Sequence, residues 1–177
     1  MTIVLRKDLP DLRVIISGGQ TGADRGGLDA AIELGLEHGG WCPHGRLAED
    51  GVIPEKYQLR ETGTAQYGER TALNVRDSTA TLLVSLDQRL TGGSAKTLSL
   101  ALKKGRPALH VTLSSRHDVS DEQAEAIRRW LARHSVGILN VAGPRESKEP
   151  GLQEAVRDML VAVLGQVHED APAESPG

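Results

Sequence analysis

The sequence predicts an α/β protein: a mostly parallel sheet of about five strands flanked by helices. Three observations predict it. Short β-branched or apolar runs alternate with stretches of helical periodicity. One run, Thr79–Ser85, is apolar almost throughout, as a strand covered on both faces must be. Glycine pairs follow two of the runs before a helix begins, directly at Gly18-Gly19 and after a short loop at Gly92-Gly93.

In chain order, Arg13–Ser17 is a β-branched run ending in Gly18-Gly19, and a helix is expected from about Asp24 to Leu34, with Leu28, Ala31 and Ile32 on one face. Leu36 to Trp41 reads as a weak strand, interrupted by His38 and glycines, and residues 43–54 have little periodicity. Tyr67–Asp77 reads as a helix. After the Thr79–Ser85 strand, Thr91-Gly92-Gly93 opens a helix to about Lys104, closed by Gly105 with Pro107 beyond. Pro107 to Leu113 is the next strand. Ser120-Asp-Glu-Gln123 has the form of a capping box and starts a helix through Ala124, Ile127 and Leu131. Val136 to Val141 is a strand ending in Gly143-Pro144. A final helix from about Gly151 to Leu164 carries Leu152, Val156, Met159, Leu160 and Val163 on one stripe. The expected division is an N-terminal extension over 1–12, one ligand-binding domain over 13–164, and a disordered polar tail over 165–177.

Composition narrows the function classes. The 177 residues suffice for one substantial core. A net charge of −3 gives no electrostatic reason to expect DNA as a partner. No apolar stretch is long enough to cross a membrane, and residues 1–10 hold no signal-peptide run. The lone Cys42 excludes an internal disulfide and suits a reducing compartment, so a cytoplasmic location is expected. With 20 Gly, two Trp, two Tyr and no Phe, the core must be aliphatic.

The strongest chemical signal is the turn Ser17 to Gly27 between a strand and a helix. Its glycines, Gly18, Gly19 and Gly22, let backbone N–H groups approach an anion at a helix N-terminus, and Gln20 and Thr21 offer side-chain donors. The alternative is a plain strand–helix turn. The run matches neither G-x-x-x-x-G-K-[ST] nor G-x-G-x-x-G. A carboxylate placed at Gly19 is expected to block the anion. Asp24 is either a cap or first-turn carboxylate favoured by the helix dipole or a group that binds a metal or a ribose. Thr91, Gly92 and Gly93 repeat the design after another strand, with Ser94 and Thr97 as oxygen-directed donors and Lys96 as a cation. Two such turns at the carboxyl ends of parallel strands can converge on one crevice. Arg145, after Gly143, offers a planar fork to an anion, or else pairs with Glu146 or Glu149. Arg70, Asn74 and Asp77 share a helix face turned to solvent or to the site. Cys42 and His44 do not make a metal site, and no C-x-x-C, H-E-x-x-H or G-x-S-x-G occurs.

Several stretches carry a family resemblance: Ser17–Arg25 through Asp29, Gly40–Pro43, Arg46 with Ala48–Gly51, Pro54, Glu69-Arg70, Asn74–Asp77, Leu90–Gly93 and Leu139–Ser147. Together, in order over roughly residues 13–164, they resemble the family of proposed molybdenum carrier proteins. That family is related to the Rossmann-like superfamily containing the lysine-decarboxylase-like LOG proteins and the DNA-processing protein A family. The resemblance implies a single Rossmann-like domain that forms a homo-oligomer and carries the molybdenum cofactor or another phosphate-bearing small molecule, with molybdoenzymes as partners. It also implies ligand-site roles for Gly18, Gly19, Gln20, Thr21, Gly22, Asp24, Asn74, Arg76, Asp77, Thr91, Gly92, Gly93, Gly143 and Arg145. A carrier would seat the phosphate on the glycine turns and cover the pterin with the loop from Trp41 to Arg60. The alternatives are a nucleotide-processing enzyme of the phosphoribohydrolase type and a nucleotide-sensing module. The LOG enzymes carry P-G-G-x-G-T-x-x-E, but Gly92 to Ala101 here contains no acid, which counts against cleavage unless Asp24 or Asp77 substitutes.

Overall fold

The computed structural model describes residues 2–114 and 118–168. Along the chain run strand β1 (Thr2–Leu5), strand β2 (Val14–Ile16), helix α1 (Ala23–Leu34), and the short strands β3 (Glu37–Gly39), β4 (Trp41–Cys42), β5 (Leu47–Ala48), β6 (Gly51–Val52) and β7 (Arg60–Glu61). Then follow α2 (Tyr67–Asp77), β8 (Ala80–Ser85), α3 (Gly92–Lys103), β9 (Ala108–Thr112), α4 (Asp121–Arg133), β10 (Ile138–Ala142), α5 (Leu152–Leu164) and β11 (Gly165–His168).

Five of these strands pair in parallel in the order β3-β2-β10-β8-β9. Counted from β10 onward and round through the N-terminus, the same strands read 3-2-1-4-5, the order of a doubly wound nucleotide-binding sheet. The chain therefore presents that architecture in circularly permuted form. The point where the strand order reverses lies between β10 and β8. The permutation also explains the terminal ribbon: β1 and β11 pair antiparallel, from Thr2 opposite His168 to Leu5 opposite Gly165, so the segment leading into β2 lies beside the end of α5. Gly165–His168 is thus a strand rather than part of a disordered tail, because Thr2–Leu5 supplies its ladder partner. The rest of the expected tail, 169–177, lies outside the described residues.

Right-handed crossovers put helices on both faces. Helix α1 packs on α5 and α5 on α4 on one side, while α2 and α3 pack together on the other. Strand β8 is buried at all six positions, as expected between two helical layers. The core is aliphatic: Ile15, Leu82, Val84, Leu139 and Val141 from the strands meet Leu34, Ile127, Leu131, Leu152, Val156, Leu160 and Val163 from the helices. Glycines at positions 26 and 27 let α1 settle deep in this layer. A Cβ on Gly26 would stand 2.6 Å from the Gln153 carbonyl oxygen, and one on Gly27 2.7 Å from Val141 Cβ.

The weak strand expected over Leu36–Trp41 is two strands, broken at Gly40, whose φ of 120° turns the chain away from the sheet. Beyond it, β5 and β6 form a hairpin and β4 pairs with β7. This excursion has its own small core of Leu28, Cys42, Ile53 and Tyr57, flanked by Ala48 and Leu59.

Candidate functional site

A cleft of about 1230 Å³ opens at the carboxyl ends of β8 and β10, the switch point of the sheet. Of the residues singled out from sequence, it gathers Gly18, Gln20, Asp24, Arg70, Asn74, Thr91, Gly93, Ser94, Thr97, Gly143 and Arg145 on its walls. Gly19, Thr21, Gly22, Gly92, Arg76 and Asp77 are not among its lining residues.

Four N–H groups of the first glycine turn are held internally, while those of Gly18, Gly22 and Asp24 meet no acceptor among the described residues. The Gly19 N–H donates to Ser17 Oγ (3.3 Å), the Gln20 N–H to Asp24 Oδ2 (3.3 Å), the Thr21 N–H to Gln20 Oε1 (3.1 Å) and the Ala23 N–H to the Pro144 carbonyl (3.2 Å). The β5–β6 hairpin is strapped over the turn. Arg25 grips Asp50 through two bonds of 2.6 and 2.8 Å, and the Glu49 N–H donates to Gln20 Oε1 at 2.9 Å. Thr21 Oγ1 donates to Glu49 and accepts from the Glu146 N–H, tying the turn to the loop after β10. Burial opposes ionisation of Glu49, but hydrogen bonds from Ser147 and Thr21 outweigh it and hold its carboxyl below the usual range. At Gly19 (φ 75°) a Cβ would point at Leu59 Cδ1, 2.5 Å away, and Ile53 Cδ1, 3.0 Å away. A carboxylate there would enter the small apolar core rather than the cleft. No residue from 41 to 60 lines the cleft, so that loop lies over the first turn and outside the cleft.

The second turn is open. Thr91 caps α3 without a side-chain hydrogen bond, and among the described residues no acceptor meets the N–H groups of Gly92, Gly93 or Ser94. Ser94 is only 7% exposed, lines the cleft, and its hydroxyl has no protein partner among the described residues. Thr97 Oγ1 donates to the Gly93 carbonyl at 2.9 Å, leaving only its lone pairs. The Lys148 ammonium lies 3.2 Å from where a Cβ on Gly92 would stand, so a full positive charge sits beside the positive end of the α3 dipole. The starts of α4 and α5 carry internal acceptors, whereas α2, like α3, has no side-chain cap. Glu146 accepts from the Gly151 and Gln153 N–H groups (2.5 and 2.9 Å) at the start of α5, and Ser120 and Gln123 form the predicted capping box on α4. Glu149 accepts from the Leu86 and Asp87 N–H groups (2.6 and 3.3 Å) at the end of β8.

Helix α2 divides its predicted polar face. Arg70 Nη1 donates to Asp24 Oδ2 at 2.6 Å, across a pair whose side chains are 14% and 6% exposed. Arg70 Nε is buried with no acceptor among the described residues. Gly18 is small because Arg70 lies over it: a Cβ there would fall 1.3 Å from Nη1. Asn74 is engaged with the backbone of Trp41, accepting its N–H (2.8 Å) and donating to its carbonyl (2.9 Å). Asp77 turns away, accepting from the Trp41 indole at 2.8 Å and pairing with Arg76 at 2.6 Å. The Arg76 bond first, with the Trp41 bond, holds the Asp77 carboxyl low against the opposing effect of burial. Arg145 stands at the rim, 3.9 Å from Glu49, and not on Glu146 or Glu149, whose carboxylates hold backbone N–H groups.

Cys42 lies in the small apolar core, where burial pushes its thiol pKa up, and exposed His44 is 3.8 Å from Glu61. Among the described residues, no three His, Cys, Asp or Glu are placed to hold a metal ion, and no helix is long and apolar enough to cross a membrane. Sequence reasoning did not single out Tyr67, Arg89 or Lys148, all on the cleft wall. Lys148 had a legible signal, since it follows the Gly-Pro-Arg turn by three residues. Tyr67 had none, because only the packing of α2 beside α3 brings it to the cleft.

Over residues 15–164 the chain matches the circularly permutated YpsA SLOG family. It is also similar to a solved structure from Syntrophus aciditrophicus SB, a protein described as a proposed molybdenum carrier. The two share 46% sequence identity with a TM-score of 0.80, over 86% of this chain and 94% of that one. No curated protein matches. The permuted strand order and the cleft at its switch point agree with the family match: the chain belongs to the circularly permutated YpsA SLOG family.

Proposed function

We propose that the chain binds a phosphate-bearing small molecule in this cleft, with the phosphate at the N-terminus of α3, and serves as a carrier of the molybdenum cofactor. The observation that carries the phosphate reading is the convergence at one point of three N–H groups without acceptors, the buried Ser94 hydroxyl and the Lys148 ammonium. Each is a donor to oxygen, and dipole and ammonium together attract a group of one to two negative charges. Arg145 and Lys96 add cations along the same wall. The phosphate is assigned to the second turn because Ser94 and Lys148 join the N–H groups there, whereas at the first turn four N–H groups are held internally and the β5–β6 hairpin lies over the turn. The carrier role is drawn from the similar protein of Syntrophus aciditrophicus, itself described as a proposed molybdenum carrier. The donor set fits the phosphate of such a cofactor, and the cleft has room for a ring system beyond it. When bound, the cofactor would be held for delivery; this chain's residues bind and orient it. A homo-oligomer that passes its cargo to molybdoenzymes completes the proposal, and sedimentation showing only monomer at micromolar concentration would count against the oligomer.

A second reading, a nucleotide-processing hydrolase, is favoured by one observation. Asp24 lines the cleft, with no hydrogen-bond donor on Oδ1 among the described residues, and is the one candidate substitute acid that does so, Asp77 being turned away.

The test is native mass spectrometry of protein purified gently from its own host, then denaturation and identification of what is released. A stoichiometric molybdopterin, or its oxidised fluorescent derivative, supports carriage. A released nucleotide supports the second reading, to be followed by an assay of glycosidic cleavage. Release of a compound with no phosphate overturns the anion site.

A further inference from the structure

We infer that the far end of the ligand is a planar heteroaromatic ring, and that this ring stacks on Tyr67. This assignment rests on the phosphate site proposed above and adds a second anchor to it. The chain holds only four Phe, Trp or Tyr residues, and of these only Tyr67 lines the cleft. Tyr57 is buried with its hydroxyl on Asp29 at 2.7 Å, the Trp41 indole donates to Asp77, and Trp130 packs against the main core.

Tyr67 contributes to neither apolar core, and the residue is 39% exposed. Its hydroxyl has no partner among the described residues, so neither packing nor a hydrogen bond accounts for a large aromatic at this place. It is nevertheless held in position. Arg70, one turn further along α2, sets its guanidinium 5.5 Å from the ring centroid, and Asp24 fixes that guanidinium at 2.6 Å. A cation over one face leaves the other face for stacking, and a platform already ordered loses little freedom when a ring lands on it. The cleft, at about 1230 Å³, far exceeds what a phosphate alone requires. The loop from 41 to 60, the other candidate cover for a ring, is engaged with the first glycine turn instead.

The chemistry recognised is therefore a phosphate joined to a flat, nitrogen-containing ring of the pterin or purine class. Stacking tolerates either, since both present a π-face. The experiment is calorimetric titration of the whole chain with two probes, guanosine 5′-monophosphate and ribose 5-phosphate, which share the phosphate and differ in the ring. Wild type should bind the ringed probe more tightly. Tyr67→Ala should weaken the ringed probe roughly five- to a hundredfold and leave the ringless one within about a factor of two. Tyr67→Phe should restore ringed-probe affinity, because the ring and not the hydroxyl makes the contact. Lys148→Glu should weaken both probes together.

Equal affinity of wild type for the two probes, or an unchanged ringed-probe affinity in Tyr67→Ala, overturns the stacking role while leaving the phosphate site in place. Equal losses of both probes in Tyr67→Ala, or a Tyr67→Phe variant as weak as Tyr67→Ala, overturn it as well. Failure of wild type to bind either probe at millimolar concentration removes the phosphate reading and the stacking role with it.

Discussion

Replacing Arg70 with Met removes the one cation bonded to Asp24 among the described residues and keeps an unbranched stem of similar reach. Asp24 is then a carboxylate with 6% of its side chain exposed, retaining from its former partners only the 3.3 Å bond from the Gln20 N–H. Breaking a buried pair by deleting one partner costs about 3–5 kcal/mol. The low end applies here, because Arg70 is 14% exposed along an open cleft and water can reach part of the space. A loss of about 3 kcal/mol corresponds, for a chain of this length, to a fall in Tm of roughly 6–12 °C. Adding Asp24→Asn removes the stranded charge while keeping an acceptor for Gln20. The double variant should therefore recover to within about 1 kcal/mol of wild type, since exchanging both partners of a buried pair for neutral groups is far less costly than stranding one. Urea denaturation at neutral pH, with the slope checked for constancy, measures both differences. A single variant that loses under about 1 kcal/mol would refute the view that this pair is desolvated. A double variant as unstable as the single one would show that the penalty comes from lost packing of the Arg70 stem and not from charge.

Other perturbations follow from the same geometry. Lys148→Glu should reduce affinity for a phosphate-bearing ligand by at least tenfold, since a charge-assisted hydrogen bond contributes about 1.5–3 kcal/mol, and titration at two salt concentrations should show a shallower salt dependence than wild type. Gly19→Asp should destabilise the fold by driving a carboxylate against Leu59 and Ile53, while the fraction that folds binds phosphate ligands as wild type does; lost binding in a folded variant would return the first turn to the site. Acid should loosen the hairpin over that turn. The Glu49 and Asp50 carboxyls lie below their ordinary values of 4.5 and 3.8 in the folded chain, so the unfolded chain binds more protons in that window. Their contribution is present above those values and is lost as pH falls through the lower folded ones, and Glu49→Gln should flatten the measured dependence of stability on pH.

The elements of the main sheet were legible because their signals are local. The unbroken apolar run of β8 follows from burial on both faces, and the capping box at Ser120 and the glycine after α3 act within a few residues. The terminal ribbon was not legible: Gly165–His168 is polar and short, and it becomes a strand only because Thr2–Leu5, from the opposite end of the chain, lies beside it. At the site, the convergence of the turns after β2, β8 and β10 was likewise readable, since a parallel sheet with right-handed crossovers puts all three at one edge.

Residue types and spacing by themselves determined that this chain is an α/β protein with glycine turns at the carboxyl ends of its strands, because backbone turning, capping and periodicity are properties of neighbouring residues. Only the tertiary structure decided which turn keeps its donors. Glu49 reaches Thr21 from 28 positions away and Arg70 reaches Asp24 from 46, so the first turn is strapped to the hairpin and to α2 while the second is left uncovered. Whether an N–H group is available to a ligand depends on every acceptor that folding brings to it, and such partners are set by contacts across the whole chain rather than by the residues on either side.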